Sequence, residues 1–339
     1  MRALATIRRA GENSPIPDAD LINATHVDGW VCVTKKNEFK PGDLGVYFEI
    51  DSFLPGTDSR YSFLEKNFIT WNGKVGARIR TIKLKGQIAQ GLFLPFGIFP
   101  ELASFSEGED VTNVLGVEKW EPPIPTQLAG EVTGALRSSI PVTDEERIQN
   151  LVEQIKNEIA GKTFEKTIKL DGTSMTVFSE NGFEGVAGRN WELRETETNT
   201  LWGVAKKAKL IQALKAYGKN IALRGELIGE GIQENNEKIK GHDFYLFNIW
   251  DIDNYRYVSP EERDNMVKEL TFLGAVIKQV PDEGFVTFNE NVTVEEILAL
   301  ADGKSLFAQN REGIVFKRID GYFSFKAISN WYLLKHSNR

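Results

Sequence analysis

The chain has 339 residues, 41% of them hydrophobic and 26% charged, with a net charge of −7. A chain of that length exceeds what one hydrophobic core ordinarily serves, so two domains are expected, and the acidic balance argues against indiscriminate polyanion binding while leaving room for a local basic groove. Cys32 as the single cysteine excludes an internal disulfide, the scattered His26, His242 and His336 exclude a Cys/His zinc site, and the lack of a membrane-length apolar run or secretory leader predicts an intracellular protein.

Short strand-like runs open the chain. "LINATHVDGWVCVTK", "LGVYFEI", "ARIRTIKLKG" and "GLFLPFGI" are separated by Gly, Pro, Asn and Asp, which predicts a small β-barrel or sandwich over residues 1–119. Within it "KVGARIRTIKLKG" holds Lys74, Arg78, Arg80, Lys83 and Lys85 without one acid. Read as strand, it puts Arg78 and Arg80 on one face, and likewise Lys83 and Lys85, a surface suited to nucleic-acid phosphates. Phe68, Trp71 and Phe93 lie close enough in sequence to stack bases, but core packing is their commoner use. Periodicity then disappears, and residues 120–141, rich in Pro, Gly and Ser, read as a linker.

Residues 142–339 read as a mixed α+β domain. Thr143 with Glu146 makes a capping box that predicts a helix through "VTDEERIQNLVEQIKNEI". Further helices are predicted through "LWGVAKKAKLIQALKAYG", from Ser259 to Gly274, and from Thr293 to Gly303. Between them lie the strands "IALRGELIG", "DFYLFNIWDI", "GIVFK" and "YFSFKAI". The stretch "FEKTIKLDGTSMTVF" reads as strand, tight turn at Asp171-Gly172, and strand, with Lys169 at the strand's end.

Charges embedded in strand-like segments carry the chemistry. They are Lys169, Asp171, Arg189, Glu226, Glu312, Lys317 and Lys326. One such charge ordinarily faces water; several on separate strands can converge on a pocket if the strands share sheets. A lysine becomes a nucleophile when deprotonated, and burial or neighbouring cations such as Lys317 and Lys326 lower its pKa. Cations also hold phosphate oxygens, and Glu226 with Glu312 suits a divalent metal. Together they suit attack on a nucleotide α-phosphate with pyrophosphate leaving. "AGKT" at 160–163 lacks the first glycine of a P-loop, and "GEGIQ" lacks the full dinucleotide fingerprint.

In order, "KLDGTS", "GRNWEL", "RGELIGEG", "DFYLFNIWDI", "REGIVFK" and "FSFKAIS" resemble the six motifs of the covalent nucleotidyltransferases: DNA ligases, RNA ligases and mRNA capping enzymes. The resemblance implies a nucleotidyltransferase (ATP-grasp-like ligase) domain of antiparallel sheets with flanking helices, preceded by an OB-like barrel. It also implies that Lys169 becomes adenylylated. Asp171, Gly172 and Arg189 would bind the nucleotide, Phe247 would stack on the purine, Glu226 would touch the ribose or a metal-bound water, Glu312 would serve Mg²⁺ or Mn²⁺, and Lys317 and Lys326 would hold phosphates. Asn248 stands where many members carry Asp, and Ser324 where the last motif usually has a second lysine.

Domain order narrows the branch. DNA ligases and capping enzymes carry an OB barrel after the last lysine strand, whereas thirteen residues follow Lys326 here and the extra module comes first. That order, with "TDEERIQN", resembles the ATP-dependent RNA ligases of the Deinococcus and Naegleria type. The implied activity joins a 3′-OH RNA end to a 5′-phosphate, at a nick in a duplex, by a monomer with no protein partner inferred. The alternatives are a DNA ligase, a GTP-using capping enzyme, or a non-catalytic RNA-binding protein with a decayed transferase domain.

Overall fold

The computed structural model describes residues 3–120, 131–142 and 144–336. Two compact units divide it, Met1–Pro123 with Leu333–Arg339, and Ile124–Tyr332.

In the first unit, Ala5–Arg9 and Leu92–Pro95 flank Leu44–Phe48 in an antiparallel sheet. A second sheet joins Asn13–Pro15, Ile22–Val27 and Trp30–Lys35, and a third joins Glu118–Lys119, Ser52–Pro55, Lys74–Arg78 and Phe68–Trp71. Alternation explains the core. In "WVCVTK", Trp30, Cys32 and Thr34 turn inward while their neighbours are more exposed. Phe93 is a core residue, stacked on Phe39 with ring centroids 4.4 Å apart. The basic run is not one strand. Lys74–Arg78 belongs to the third sheet, and Thr81–Leu84 pairs with Gln87–Gln90 in a separate hairpin.

The second unit contains two predominantly antiparallel sheets. The larger runs in the order Val132–Ala135, Trp191–Leu193, Phe183–Ala187, Thr173–Glu180, Ile221–Gly229, His242–Asp251 and Arg256–Tyr257. The smaller runs Glu146–Arg147, Ser324–Ile328, Gly313–Arg318, Thr163–Lys169 and Asp282–Thr287. On the smaller sheet Phe164, Ile168, Ile314, Phe316, Phe325 and Ala327 fill one core. Because side chains alternate, Glu165, Lys169, Lys317 and Lys326 share the opposite face. Helices Thr200–Lys207, Leu210–Tyr217 and Pro260–Phe272 bring Leu201, Leu214 and Leu270 to the larger sheet's core, beside Leu223 and Ile249.

Three local expectations are corrected. Thr143 lies outside the described residues, and Glu146 opens a strand rather than a helical turn: Glu146–Arg147 pairs in parallel with Phe325–Lys326. Only Val152–Gln154 is α-helical there, followed by a π-turn over Ile155–Ile159, because sheet pairing and burial of Ile148 and Ile159 override the local helix signal. The long helix after residue 200 is two, broken where Lys209 takes a φ of 56°. The second half of the expected linker also holds a strand, since Val132–Ala135 pairs with Trp191–Leu193, while its residues 121–130 lie outside the described residues.

The other two helix starts have the expected chemistry, with capping boxes at Ser259–Glu262 and Thr293–Glu296. Ser259→Ala removes the side-chain acceptor for the Glu262 N–H. The expected cost is about 1 kcal/mol, seen by circular dichroism as a fall of roughly 2–4 °C in the melting of the second unit.

Candidate active site

Lys169 ends its strand opposite Gly313, and its Nζ donates to Glu312 Oε2 at 2.9 Å. The Asp171-Gly172 turn does not close a hairpin. It carries the chain from the smaller sheet, which holds Thr163–Lys169, to the larger sheet, which holds Thr173–Glu180. Gly172 is required by space: a Cβ there would lie 2.4 Å from the Leu227 carbonyl oxygen and 2.9 Å from Glu226 Cγ. Asp171 is held from both sides, accepting from Tyr332 Oη at 2.8 Å and Asn236 Nδ2 at 2.7 Å.

Acids, rather than cations, dominate the surroundings of Lys169. Burial works to lower its pKa, but Glu312, Glu226 and Asp171 outweigh burial and hold it above the usual lysine range. This reverses the expectation that Lys317 and Lys326 would depress it. The carboxylates bear a matching strain. Burial first, then the nearby acids, push Glu226 up to about 8, despite the opposing Lys169 charge. Glu312 moves the same way, again led by burial. Among the described residues no group of three or more His, Cys, Asp or Glu is arranged to hold a metal. The two carboxylates beside Lys169, Glu226 and Glu312, suit a hard divalent cation that completes its shell with water and phosphate oxygens.

The cations lie further along the strands. Buried Lys317 donates to the Phe247 carbonyl, and burial followed by the Arg263 charge pushes its pKa down to about 8. Buried Lys326 donates to Asp144 Oδ1 at 2.7 Å, and Arg189 donates to Asp144 Oδ2 at 2.8 Å. One carboxylate thus spans two cations. Phe247 is the extra residue of a β-bulge: Arg224 pairs with Asn248 and Gly225 with Leu246, which leaves Phe247 without an opposite partner. Bulges re-aim side chains in this way. Phe247 is half-buried against the smaller sheet's core. Asn248 is buried, and its Oδ1 accepts the Ile249 N–H at 3.0 Å.

Sequence reasoning missed Asp144, Arg147, Glu165 and Arg263. Buried Arg147 lies opposite Lys326 in the parallel pair, and "TDEERIQN" hides both it and Asp144 behind a helix-start pattern. Nor did any signal mark Arg224, 1% exposed, with Nη1 on the Pro141 carbonyl and its Nε and Nη2 without partners among the described residues. In the first unit, Arg78 donates to Asp51 Oδ1 at 2.7 Å and lies over the Trp120 ring at 3.5 Å, whereas Lys83 and Lys85 are exposed. Arg80 is half-buried just beyond the strand that ends at Arg78.

A family model of an OB-fold domain matches residues 4–96, and a model of RNA ligase matches residues 162–328. The chain is similar to the solved structure of Naegleria gruberi RNA ligase with pyrophosphate, at 55% identity, all of both chains covered, and a TM-score of 0.95. A mutant of that ligase with AMP and manganese is likewise 55% identical over all of both chains, with a TM-score of 0.96. Another mutant, with ATP and manganese, is 55% identical over 99% of this chain and 100% of that one, at 0.95. A search of curated proteins returned no match. Fold and motif order are those of a covalent nucleotidyltransferase. Within that class the chain belongs to the RNA ligase family, as an ATP-dependent polynucleotide ligase with an N-terminal OB module. Among the described residues no helix is long and apolar enough to cross a membrane.

The Glu226 shift has a signed consequence. An acid whose folded-state pKa is raised from 4.5 to about 8 destabilises the fold as it ionises, so the effect is absent below about pH 4.5 and complete above about pH 8. Glu226→Gln should flatten that window: its melting temperature relative to the parent protein should rise between pH 5 and about pH 8. A constant difference across the window would show that Glu226 ionises normally.

Proposed function

We propose that the protein seals breaks between a 3′-OH RNA end and a 5′-phosphate, chiefly nicks in duplexes, in three steps through a lysyl-AMP intermediate. Lys169 Nζ attacks the α-phosphate of ATP and pyrophosphate leaves. The AMP then passes to the 5′-phosphate, and the 3′-OH attacks that phosphate and releases AMP. The observation that carries the reading is Lys169 bonded to Glu312 at a strand end, with Asp171 and Glu226 close enough to raise its pKa.

Each residue has a role in this reading. Asp171, Gly172 and Arg189 bind ribose and phosphates, Phe247 stacks on the adenine from its bulge, and Lys317 and Lys326 hold phosphate oxygens. Asp144, which bridges Lys326 and Arg189, stands in for a phosphate until the nucleotide enters. Glu226 and Glu312 would hold Mg²⁺ or Mn²⁺, a choice supported by the manganese reported with the Naegleria ligase. Such an ion would neutralise the acids that keep Lys169 protonated and draw charge from the transferring phosphate. The OB module, through Arg78, Arg80, Lys83 and Lys85, follows the duplex backbone, and one chain acts alone.

Covalent labelling tests the first step. Incubated with α-labelled ATP and a divalent metal, the protein should keep label through denaturation, and Lys169→Ala should lose it. The same variant should still join a strand supplied with a preformed 5′-adenylate, because the last step does not use the nucleophile. Label from GTP in place of ATP would redirect the reading to capping chemistry; loss of the last step in folded Lys169→Ala would refute the step assignment.

The OB assignment has its own test. Lys83→Glu with Lys85→Glu should weaken nicked-duplex binding and reduce the slope of log affinity against log salt by about 2. Unchanged affinity and slope would remove this hairpin from the interface.

A further inference from the structure

Glu165 and Lys317 stand directly opposite each other on adjacent antiparallel strands. Opposite charges so placed ordinarily pair, and a buried carboxylate attracts any cation within reach. Glu165 is 2% exposed, yet it forms no ion pair with Lys317 among the described residues. The reason comes from a third element. Arg263, on the helix Pro260–Phe272, approaches with its side chain 7% exposed and takes both Glu165 oxygens, Nη1 to Oε2 at 2.8 Å and Nη2 to Oε1 at 2.6 Å. Its Nη2 also reaches Asp264 Oδ1 at 3.1 Å. With Glu165 occupied, the Lys317 ammonium reaches the carbonyl of Phe247 at the bulge, on the other sheet.

We infer that Arg263 is a positioning residue: by occupying both oxygens of Glu165 it keeps Lys317 turned towards the nucleotide. The inference rests on the reading of Lys317 as a phosphate contact. Neither Arg263 nor Glu165 belongs to the six motifs, and Arg263 lies 54 residues before Lys317, on a helix outside both sheets. A planar fork suits this task better than a point charge, because one guanidinium satisfies both carboxylate oxygens at once.

The test is self-adenylylation as a function of ATP concentration, at a temperature where each variant is shown to be folded by circular dichroism. Arg263→Met leaves Glu165 without its fork, so Lys317 is drawn onto it. The KM for ATP should rise by about tenfold or more, with a smaller fall in the limiting rate. Adding Glu165→Gln to Arg263→Met should bring KM most of the way back, since the amide lacks the carboxylate charge that would draw the ammonium away from the Phe247 carbonyl. Arg263→Lys keeps the charge without the fork and should be intermediate.

A role confined to stability would lower the folded fraction and leave KM per folded molecule unchanged. That result in Arg263→Met, or a double variant as impaired as the single one, overturns the inference. If Arg263→Met does not fold, Arg263→Lys decides, and an unaltered KM in that variant overturns it equally. Lys317→Met separates the two levels. If its KM for ATP is unchanged, the phosphate role of Lys317 has failed. If its KM rises while that of folded Arg263→Met does not, only the role of Arg263 has failed.

Discussion

The site depends on the register between Thr163–Lys169 and Gly313–Arg318. That register puts Lys169 beside the residue that follows Glu312, and Glu165 across from Lys317. A slip of one residue would turn every side chain of one strand over, sending Lys169 and Glu165 into the phenylalanine core and Phe164 and Ile168 out among the charges. What prevents the slip is the reverse face of the same sheet. Phe316 stacks on Phe325 at 4.9 Å, and Phe164 meets Phe325 at 5.4 Å and Phe288 at 5.6 Å. Charged groups are thus held in place by apolar packing behind them, which supplies rigidity without competing for their partners.

Several charges of the resting site are paired internally. Lys169 is matched to Glu312, Lys326 and Arg189 to Asp144, and Arg263 to Glu165. A buried charge without a partner is costly, and a site meant for a polyphosphate and a metal must be stable before either arrives. Internal pairing meets that need at the cost of having to be undone. In the proposed mechanism an incoming phosphate displaces the Asp144 carboxylate, and the acids around Lys169 are neutralised before its amine becomes nucleophilic. Lys317 and Asp171 are held instead by neutral groups, the Phe247 carbonyl for Lys317, and Tyr332 and Asn236 for Asp171, and burial lowers the Lys317 pKa to about 8.

The two sheets contribute different things. The smaller supplies Lys169, the proposed nucleophile, and Lys317 and Lys326, the proposed phosphate contacts; the larger supplies Glu226 and, through one extra residue in its longest strand, Phe247. The Asp171-Gly172 connection joins the sheets just past Lys169, so Lys169 lies where the chain crosses from one to the other. This explains why no side chain is accommodated at Gly172, where the Leu227 carbonyl comes close.

The sequence alone carried the class of chemistry, because the six motifs are local strings whose order survives any folding detail. The strands that carry Lys169, Glu226, Lys317 and Lys326 were also legible as strands, although which sheet each joins was not. Capping boxes at Ser259 and Thr293 were equally legible, since cap chemistry is satisfied within four residues. Tertiary structure decided everything that depends on a distant partner. It turned "ERIQN" from a helix start into an edge strand, because the strand Ser324–Ile328 offered unpaired backbone groups to Glu146–Arg147. It made a crossing out of an apparent hairpin at Asp171-Gly172, committed Arg78 to Asp51 and Trp120, and reversed the expected pKa shift of Lys169. Arg263 makes the same point: a helix-surface arginine by pattern, it is buried because Glu165, 98 residues earlier, needs a partner. Ion pairs between segments that far apart leave no trace in local periodicity, so only the folded chain shows which charges meet.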